Sequence, residues 1–222
     1  MPTIVIASPK GGAGKSTTAV LLGTELARAG ASVTLLDCDP NGSLSLWGER
    51  SALPARIQLK NGVTESEIVK TIKKHDQDGS IVIVDLEGVA SRLVSRAISQ
   101  ADLVITPMRA TTLDATIGIR ALQLIAEEEE ALGRDIRHAV VFTMTRAIRS
   151  KQHTGIDQSL KEQGVDIIEP SLMERASYSA LFEFGGDLTT LPPQGNMQSA
   201  QENAEAFAKA VFNRLTMQEA AA

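Results

Sequence analysis

The chain has 222 residues, 43% of them hydrophobic but only 3% aromatic, and a net charge of −5 from 22 basic and 27 acidic side chains. That length and apolar fraction exclude a disordered or fibrous chain and predict one aliphatic core in a single domain over residues 1–222. The acidic balance excludes a globally basic nucleic-acid binder, and the single Cys38, read as a buried residue at a strand end, excludes an internal disulfide and fits a reducing cytoplasm. Neither a charged-then-apolar leader nor a run of about 18 apolar residues is visible, so no signal peptide or membrane span is expected.

The first predicted strand, Thr3–Ala7, runs into Ser8-Pro9-Lys10-Gly11-Gly12-Ala13-Gly14-Lys15-Ser16-Thr17. A phosphate-binding loop has Gly, four residues, then Gly-Lys-Ser/Thr; here Pro9 takes the place of the first Gly. Such a loop aims several backbone N–H groups at one anion, which calls for the conformational freedom of Gly11, Gly12 and Gly14. The helix predicted over Lys15–Ala29, with Ala19, Leu22, Leu26 and Ala29 in register and Gly30 as its cap, presents its positive amino end to the same anion. Lys15 would reach β- and γ-phosphate oxygens, the Ser16 hydroxyl would ligate Mg²⁺, and Ala13 and Thr17 would complete the cradle, which makes ATP and Mg²⁺ the expected cofactors. Lys10 lies on the phosphate side of the turn, where a second cation of the same chain cannot easily serve the phosphates that Lys15 holds.

The second strand, Ser32–Asp37, leads into Asp37-Cys38-Asp39-Pro40-Asn41-Gly42, a sharp turn that presents both carboxylates at the carboxyl edge of the sheet, unless Asp37 caps the turn or the next element. After a helix over Glu65–Lys74 comes the apolar strand Ile81–Asp85, whose terminal carboxylate would sit beside Mg²⁺. Gly88 would offer its N–H to the γ-phosphate, and Glu87 is expected to point away from it. There follow a helix over Val89–Ser99, a strand over Leu103–Pro107, a helix over Asp114–Leu132 capped by Thr112 or Asp114, and a strand over Ala139–Thr143. A helix over Gln152–Gln163 and a strand over Asp166–Ile168 come next. The stretches Gly185–Asp187 and Pro192–Asn196 read as a flexible surface connection to a last helix, Gln198–Leu215, with Ala204, Phe207, Ala208, Val211 and Leu215 on one packing stripe. The alternation predicts an α/β P-loop fold: a mostly parallel twisted sheet with helices on both faces and ligands at the carboxyl ends of the strands. Arg146, Arg149, Lys151 and the more distant Arg175 form a basic cluster, either a solvated helix start or a patch for DNA phosphates.

The segment Lys10-Gly11-Gly12-Ala13-Gly14-Lys15-Ser16-Thr17 resembles the deviant Walker A loop of the ParA/MinD group of ATPases. The resemblance extends over nearly the whole chain and is strongest to short, ParF-like ParA proteins without an N-terminal helix-turn-helix domain, since this sequence opens at the first strand. It implies a homodimer that sandwiches ATP, with Lys10 reaching the nucleotide of the partner subunit, so that Lys10, Lys15 and Asp39 form the catalytic set. Asp37-Cys38-Asp39-Pro40 is similar to the group's Asp-x-Asp-Pro, which implies that Asp39 orients the attacking water or helps Ser16 and Asp85 hold Mg²⁺; Asn41–Trp47 resembles a first switch. Ser99–Pro107 looks like the strand that places Pro107 near the dimer face, and Thr145 and Arg146 fall where the group contacts adenine. Leu86-Glu87 departs from the small residues or proline usual in the group after the Walker B aspartate.

The function implied is a Mg²⁺-dependent ATPase that dimerises on ATP, binds nonspecific DNA and positions or partitions a plasmid or other cargo with a ParB-like or other stimulating partner protein. It would be cytoplasmic, nucleoid-associated when ATP-bound, and slow alone, because Asp39 is a weak base and no arginine finger stands in the switch segments. A MinD-like membrane-cycling ATPase needs a basic amphipathic tail that Thr216–Ala222 lacks, and a P-loop metabolic ligase needs a second substrate pocket that the sequence does not reveal.

Overall fold

A computed structural model describes residues 1–88 and 91–216. Seven strands form one sheet in the order β3-β2-β4-β1-β5-β6-β7, where β1 is Thr3–Ile6, β2 Val33–Cys38, β3 Ile57–Lys60, β4 Ile81–Leu86, β5 Leu103–Arg109, β6 His138–Thr143 and β7 Ile167–Ile168. Every ladder is parallel. The β-branched runs of β1 and β4 are buried throughout, as strands covered on both faces must be.

Among the described residues eight helices cover the sheet: α1 Lys15–Arg28, α2 Ser43–Arg50, α3 Ile68–Gln77, α4 Arg92–Ile98, α5 Thr112–Leu132, α6 Lys151–Glu162, α7 Ala176–Phe184 and α8 Met197–Thr216. The two-residue period of a strand divides the core. Ile4 and Ile6 of β1 face one layer with α1, α2, α7 and α8, while Val5 faces the other with α3, α4 and α5. The expected stripe of α8, from Ala204 to Leu215, is buried in the first layer. Connections leave β1 toward β2 and β4 toward β5, in opposite directions, so the crevice for a ligand lies beyond the carboxyl ends of β1 and β4.

The strand β3 and the helices α2 and α7 escaped the sequence reading. β3 is a four-residue edge strand with Gln58 and Lys60 exposed, too short and too polar for the apolar signal of its neighbours. α2 occupies the Asn41–Trp47 stretch. α5 is capped by Thr111, whose hydroxyl accepts from the Asp114 N–H, rather than by Thr112 or Asp114. The helix expected from Val89 starts at Arg92 under a Ser91 cap; Val89, Ala90 and the tail from Met217 to Ala222 lie outside the described residues. Among the described residues no helix is long and apolar enough to cross a membrane.

The expected flexible connection at Gly185–Asp187 is instead a packed junction. Trp47 of α2, fully buried, donates its indole N–H to the Gly186 carbonyl at 3.0 Å. Gly185 adopts φ 74° and ψ −164°, a region open almost only to glycine, and a Cβ there would lie 2.7–2.9 Å from Ser51 Oγ, Arg50 Cβ and Ser51 N. Gly185→Ala is expected to cost about 3 kcal/mol in urea unfolding, whereas Gly30→Ala, at positive φ in open space, should cost about 1 kcal/mol.

Candidate nucleotide-binding site

The loop after β1 is shaped by backbone conformation. Gly12 and Gly14 take positive φ (73° and 89°), whereas Gly11 does not. Gly14 opens α1, and no side chain caps that helix or places an acid in its first turn, so its first N–H groups and its dipole are directed at the loop. The loop is pinned from β6, where the Thr143 hydroxyl donates to the Ala13 carbonyl at 2.8 Å, and from within, where the Thr18 hydroxyl donates to the Gly14 carbonyl at 2.8 Å. Arg109, at the end of β5, adds a long 3.4 Å contact to the Gly12 carbonyl.

Two buried charges meet here. Lys15 is 6% exposed, has no carboxylate partner among the described residues, and its ammonium donates only to the Lys10 carbonyl at 3.4 Å. Asp85 is fully buried at the end of β4, and neither carboxylate oxygen accepts a hydrogen bond. Burial pushes the Asp85 carboxyl up to about 7; the Ser16 hydroxyl and Lys15 oppose that, while Asp37 and Asp39 add to it. A buried ammonium short of an anion and a buried carboxylate short of a cation fit a phosphate chain with its divalent cation. Gly88 leaves the room this requires: a Cβ on it would lie 3.2 Å from the Gly11 nitrogen and 3.4 Å from Lys15 Nζ.

Of the two carboxylates expected at the edge of β2, the structure separates the roles. Asp37 turns inward and caps α2, accepting from the Ser45 N–H at 2.8 Å and the Ser45 hydroxyl at 2.5 Å. Asp39 stays half-exposed in the following turn, its Oδ1 accepting from the N–H and side-chain amide of Asn41 at 2.9 and 2.8 Å. Cys38 between them is buried, and burial, reinforced by Asp37 and Asp85, holds its thiol protonated.

Lys10, 30% exposed, reaches across the loop to Asp114 on the first turn of α5, with Nζ 2.8 Å from Oδ1. Burial alone would raise the Asp114 carboxyl, but Lys10, the Thr111 hydroxyl and Arg109 outweigh it and hold the group below its ordinary value. The sequence offered Asp114 only as a helix cap; an ion pair between distant segments leaves no local pattern to read.

A cleft beside the loop is lined by Gly14, Thr17, Thr18, Met144, Leu172, Met173, Glu174, Arg175 and Tyr178. Thr145 is not at its surface: it is buried, with its hydroxyl on Ser171 at 3.1 Å, because Met144, at φ 51°, turns the chain and Thr145 bridges to Met173. Arg146 is exposed and outside the lining. Arg175 leaves the expected basic cluster as well, its guanidinium held by Ser199 at 2.9 Å and Met173 Sδ at 3.3 Å, and Arg149 is paired with Glu169 at 2.6 Å. Arg149 is the one member of that cluster in an ion pair among the described residues; Arg175 is held by neutral partners, and Arg146 and Lys151 by none. Glu87 lines a second recess together with Gly88, Arg120 and the loop residues Ser8 and Pro9, against α4 and α5.

This fold and loop define a P-loop nucleotide-binding protein of the ParA/MinD type. Residues 4–210 match the family described as the CobQ/CobB/MinD/ParA nucleotide binding domain, and the chain belongs to it. Within that family it is 66% identical over 218 residues to protein ParA of Rhizobium radiobacter, covering 97% of this chain and 98% of the relative. Its fold is similar to that of Cyanothece McdA in an ATP complex (TM-score 0.76, 21% identity, 96% of each chain). It is likewise similar to the MinD cell division protein of Aquifex aeolicus (TM-score 0.73, 19% identity, 96% of this chain and 98% of that one).

Asp85→Asn isolates the buried charge. The folded carboxyl keeps its proton up to about pH 7 while the unfolded chain releases it near 3.8, so wild type loses stability relative to the variant as pH rises through that window. The variant should therefore melt several degrees higher above pH 7 without ligand, and its Tm should no longer respond to Mg²⁺ in the presence of ATP. A Mg²⁺ response equal to wild type would remove Asp85 from the metal site.

Proposed function

We propose that the chain is a Mg²⁺-dependent ATPase that forms an ATP-sandwich homodimer, binds nonspecific DNA as that dimer, and drives partition or positioning of a plasmid or other cargo with a stimulating partner protein. One observation carries the reading: Lys15 and Asp85, both buried and without a charged partner among the described residues, stand at the uncapped amino end of α1. The 66% identity to a protein ParA supports the partition role, and the ATP complex of a McdA protein with the same fold supports the nucleotide.

In this reading the N–H groups of the loop and Lys15 hold the phosphates, and Ser16 and Asp85 hold Mg²⁺, which when bound neutralises phosphate charge. Asp39 orients the attacking water from its turn, and a half-exposed carboxylate makes that step slow in the absence of a partner. The cleft bounded by Met144, Leu172 and Met173 takes the base, in place of the contacts expected from Thr145 and Arg146. Lys10 exchanges Asp114 for the phosphates of the second subunit, so its ion pair belongs to the single chain and is given up on dimerisation. Gly88, against both the loop and Lys15, carries the γ-phosphate state to the segment after β4. The protein works in the cytoplasm, on the nucleoid when ATP-bound, with a ParB-like or other partner that accelerates turnover.

Asp39→Ala should bind a fluorescent ATP analogue like wild type but release phosphate at least about 100-fold more slowly; unchanged phosphate release would assign the water to another group. Lys10→Ala should bind nucleotide yet elute as a monomer on sizing with ATP, and a variant that dimerises and hydrolyses normally would end the cross-subunit role.

A further inference from the structure

α3 buries Ile68, Ile72 and His75 along one stripe. At about 100° per residue, Lys70, Lys73 and Lys74 fall on the opposite arc, and all are exposed. Lys60, exposed at the end of the edge strand β3, extends this face. Burial first, then the charges of Lys60 and Lys74, disfavour protonation of His75, while Asp78 opposes them; the imidazole therefore feels cations from both elements.

Most cations of the chain meet no carboxylate among the described residues, and what sets these four apart is their grouping on one face. Lys10, Arg28, Arg96, Arg149, Lys161 and Arg214 each meet a carboxylate. None of the four lysines on this face does so among the described residues, although acids stand close in sequence. Asp76 is taken by the N-terminal ammonium at 2.5 Å, Glu65 by Arg96 at 3.6 Å, and Glu67 by the Thr64 hydroxyl at 2.7 Å; Asp78 approaches only His75, at 4.0 Å. Lys70 repels Lys73 and Lys74 at helical spacings of three and four residues, so the grouping costs stability in the free protein. A chain of net charge −5 thus concentrates unpaired positive charge on one edge of its sheet, away from the nucleotide loop.

We infer that this face, α3 with the end of β3, grips the phosphate backbone of double-stranded DNA. The inference rests on the DNA-binding reading above and relocates the contact from the Arg146–Lys151 loop, where Arg149 is already spent on Glu169. A regular polyanion neutralises several lysines at once, and flexible point charges suit contacts that read no bases.

The test is DNA binding by the full chain with a non-hydrolysable ATP analogue, measured across a KCl series. Replacing Lys60, Lys70, Lys73 and Lys74 by Gln should weaken binding at least about tenfold and reduce the slope of log K against log salt by about 3 to 4, and Lys73→Gln alone should reduce it by about 1. ATP-dependent sizing and phosphate release should match wild type, which separates this loss from misfolding. Arg146→Gln with Lys151→Gln should keep the wild-type slope. Wild-type affinity and slope in the quadruple variant would overturn this assignment alone, leaving the DNA-binding reading standing. Wild-type protein that ignores DNA at every salt concentration would overturn that reading and this inference with it. Lysine-dependent sedimentation with phosphatidylserine vesicles in place of DNA binding would make the face a membrane contact and overturn it too.

Discussion

A buried ammonium and a buried carboxylate, neither with a charged partner among the described residues, share the crevice above β1 and β4, and the rest of the molecule is arranged around that pair. Lys15 and Asp85 are both buried, and no ion pair joins them among the described residues. Desolvation without compensation is among the more expensive conditions a charged side chain can be held in, so only a rigid surround can maintain it. The surround is the central part of a parallel sheet, sealed by helices on both faces, with strands too thoroughly buried to relax. A phosphate chain with its cation would supply both missing partners at once.

The same crevice explains the placement of the neighbouring elements. Asp37, which could have competed for the metal, is consumed in capping α2, and this fixes the turn that holds Asp39 half-exposed beside Asn41. α2 in turn is anchored by Trp47 to the α7–α8 junction at Gly186, so a segment expected to be switch-like is tied to the core at its far end. On the other flank Lys10 is held by Asp114. That pair joins a half-exposed ammonium to a buried carboxylate, so it ties the loop to the first turn of α5.

Charge is distributed with the same economy. Six of the nine ion pairs among the described residues tie one segment to another, as Arg214 ties α8 to Asp166 and Arg28 ties α1 to Glu205. The lysine face of α3 stands apart from that pattern, and so does the Arg146–Lys151 loop once Arg149 and Arg175 are found engaged. Net charge conceals this, because a chain acidic overall can still present a local cationic surface to a polyanion.

The sequence by itself determined the nucleotide chemistry and the order of strands and helices, because both are written locally. Gly-Lys-Ser-Thr between a strand and a helix can be read within ten residues, Asp85 closes an unbroken apolar run, and hydrophobic period separates helix from strand. The edge strand β3 and the helices α2 and α7 lacked such signals, being short and held in place by contacts from distant segments. Tertiary structure alone decided that Asp37 caps while Asp39 stays free, that Met144 rather than Thr145 lines the cleft, that Lys10 pairs with Asp114, and that Lys60 joins the lysines of α3. Each of these depends on which side chains meet across strands and helices far apart in the chain, and hydrogen bonds and ion pairs between such partners leave no mark in local composition or spacing.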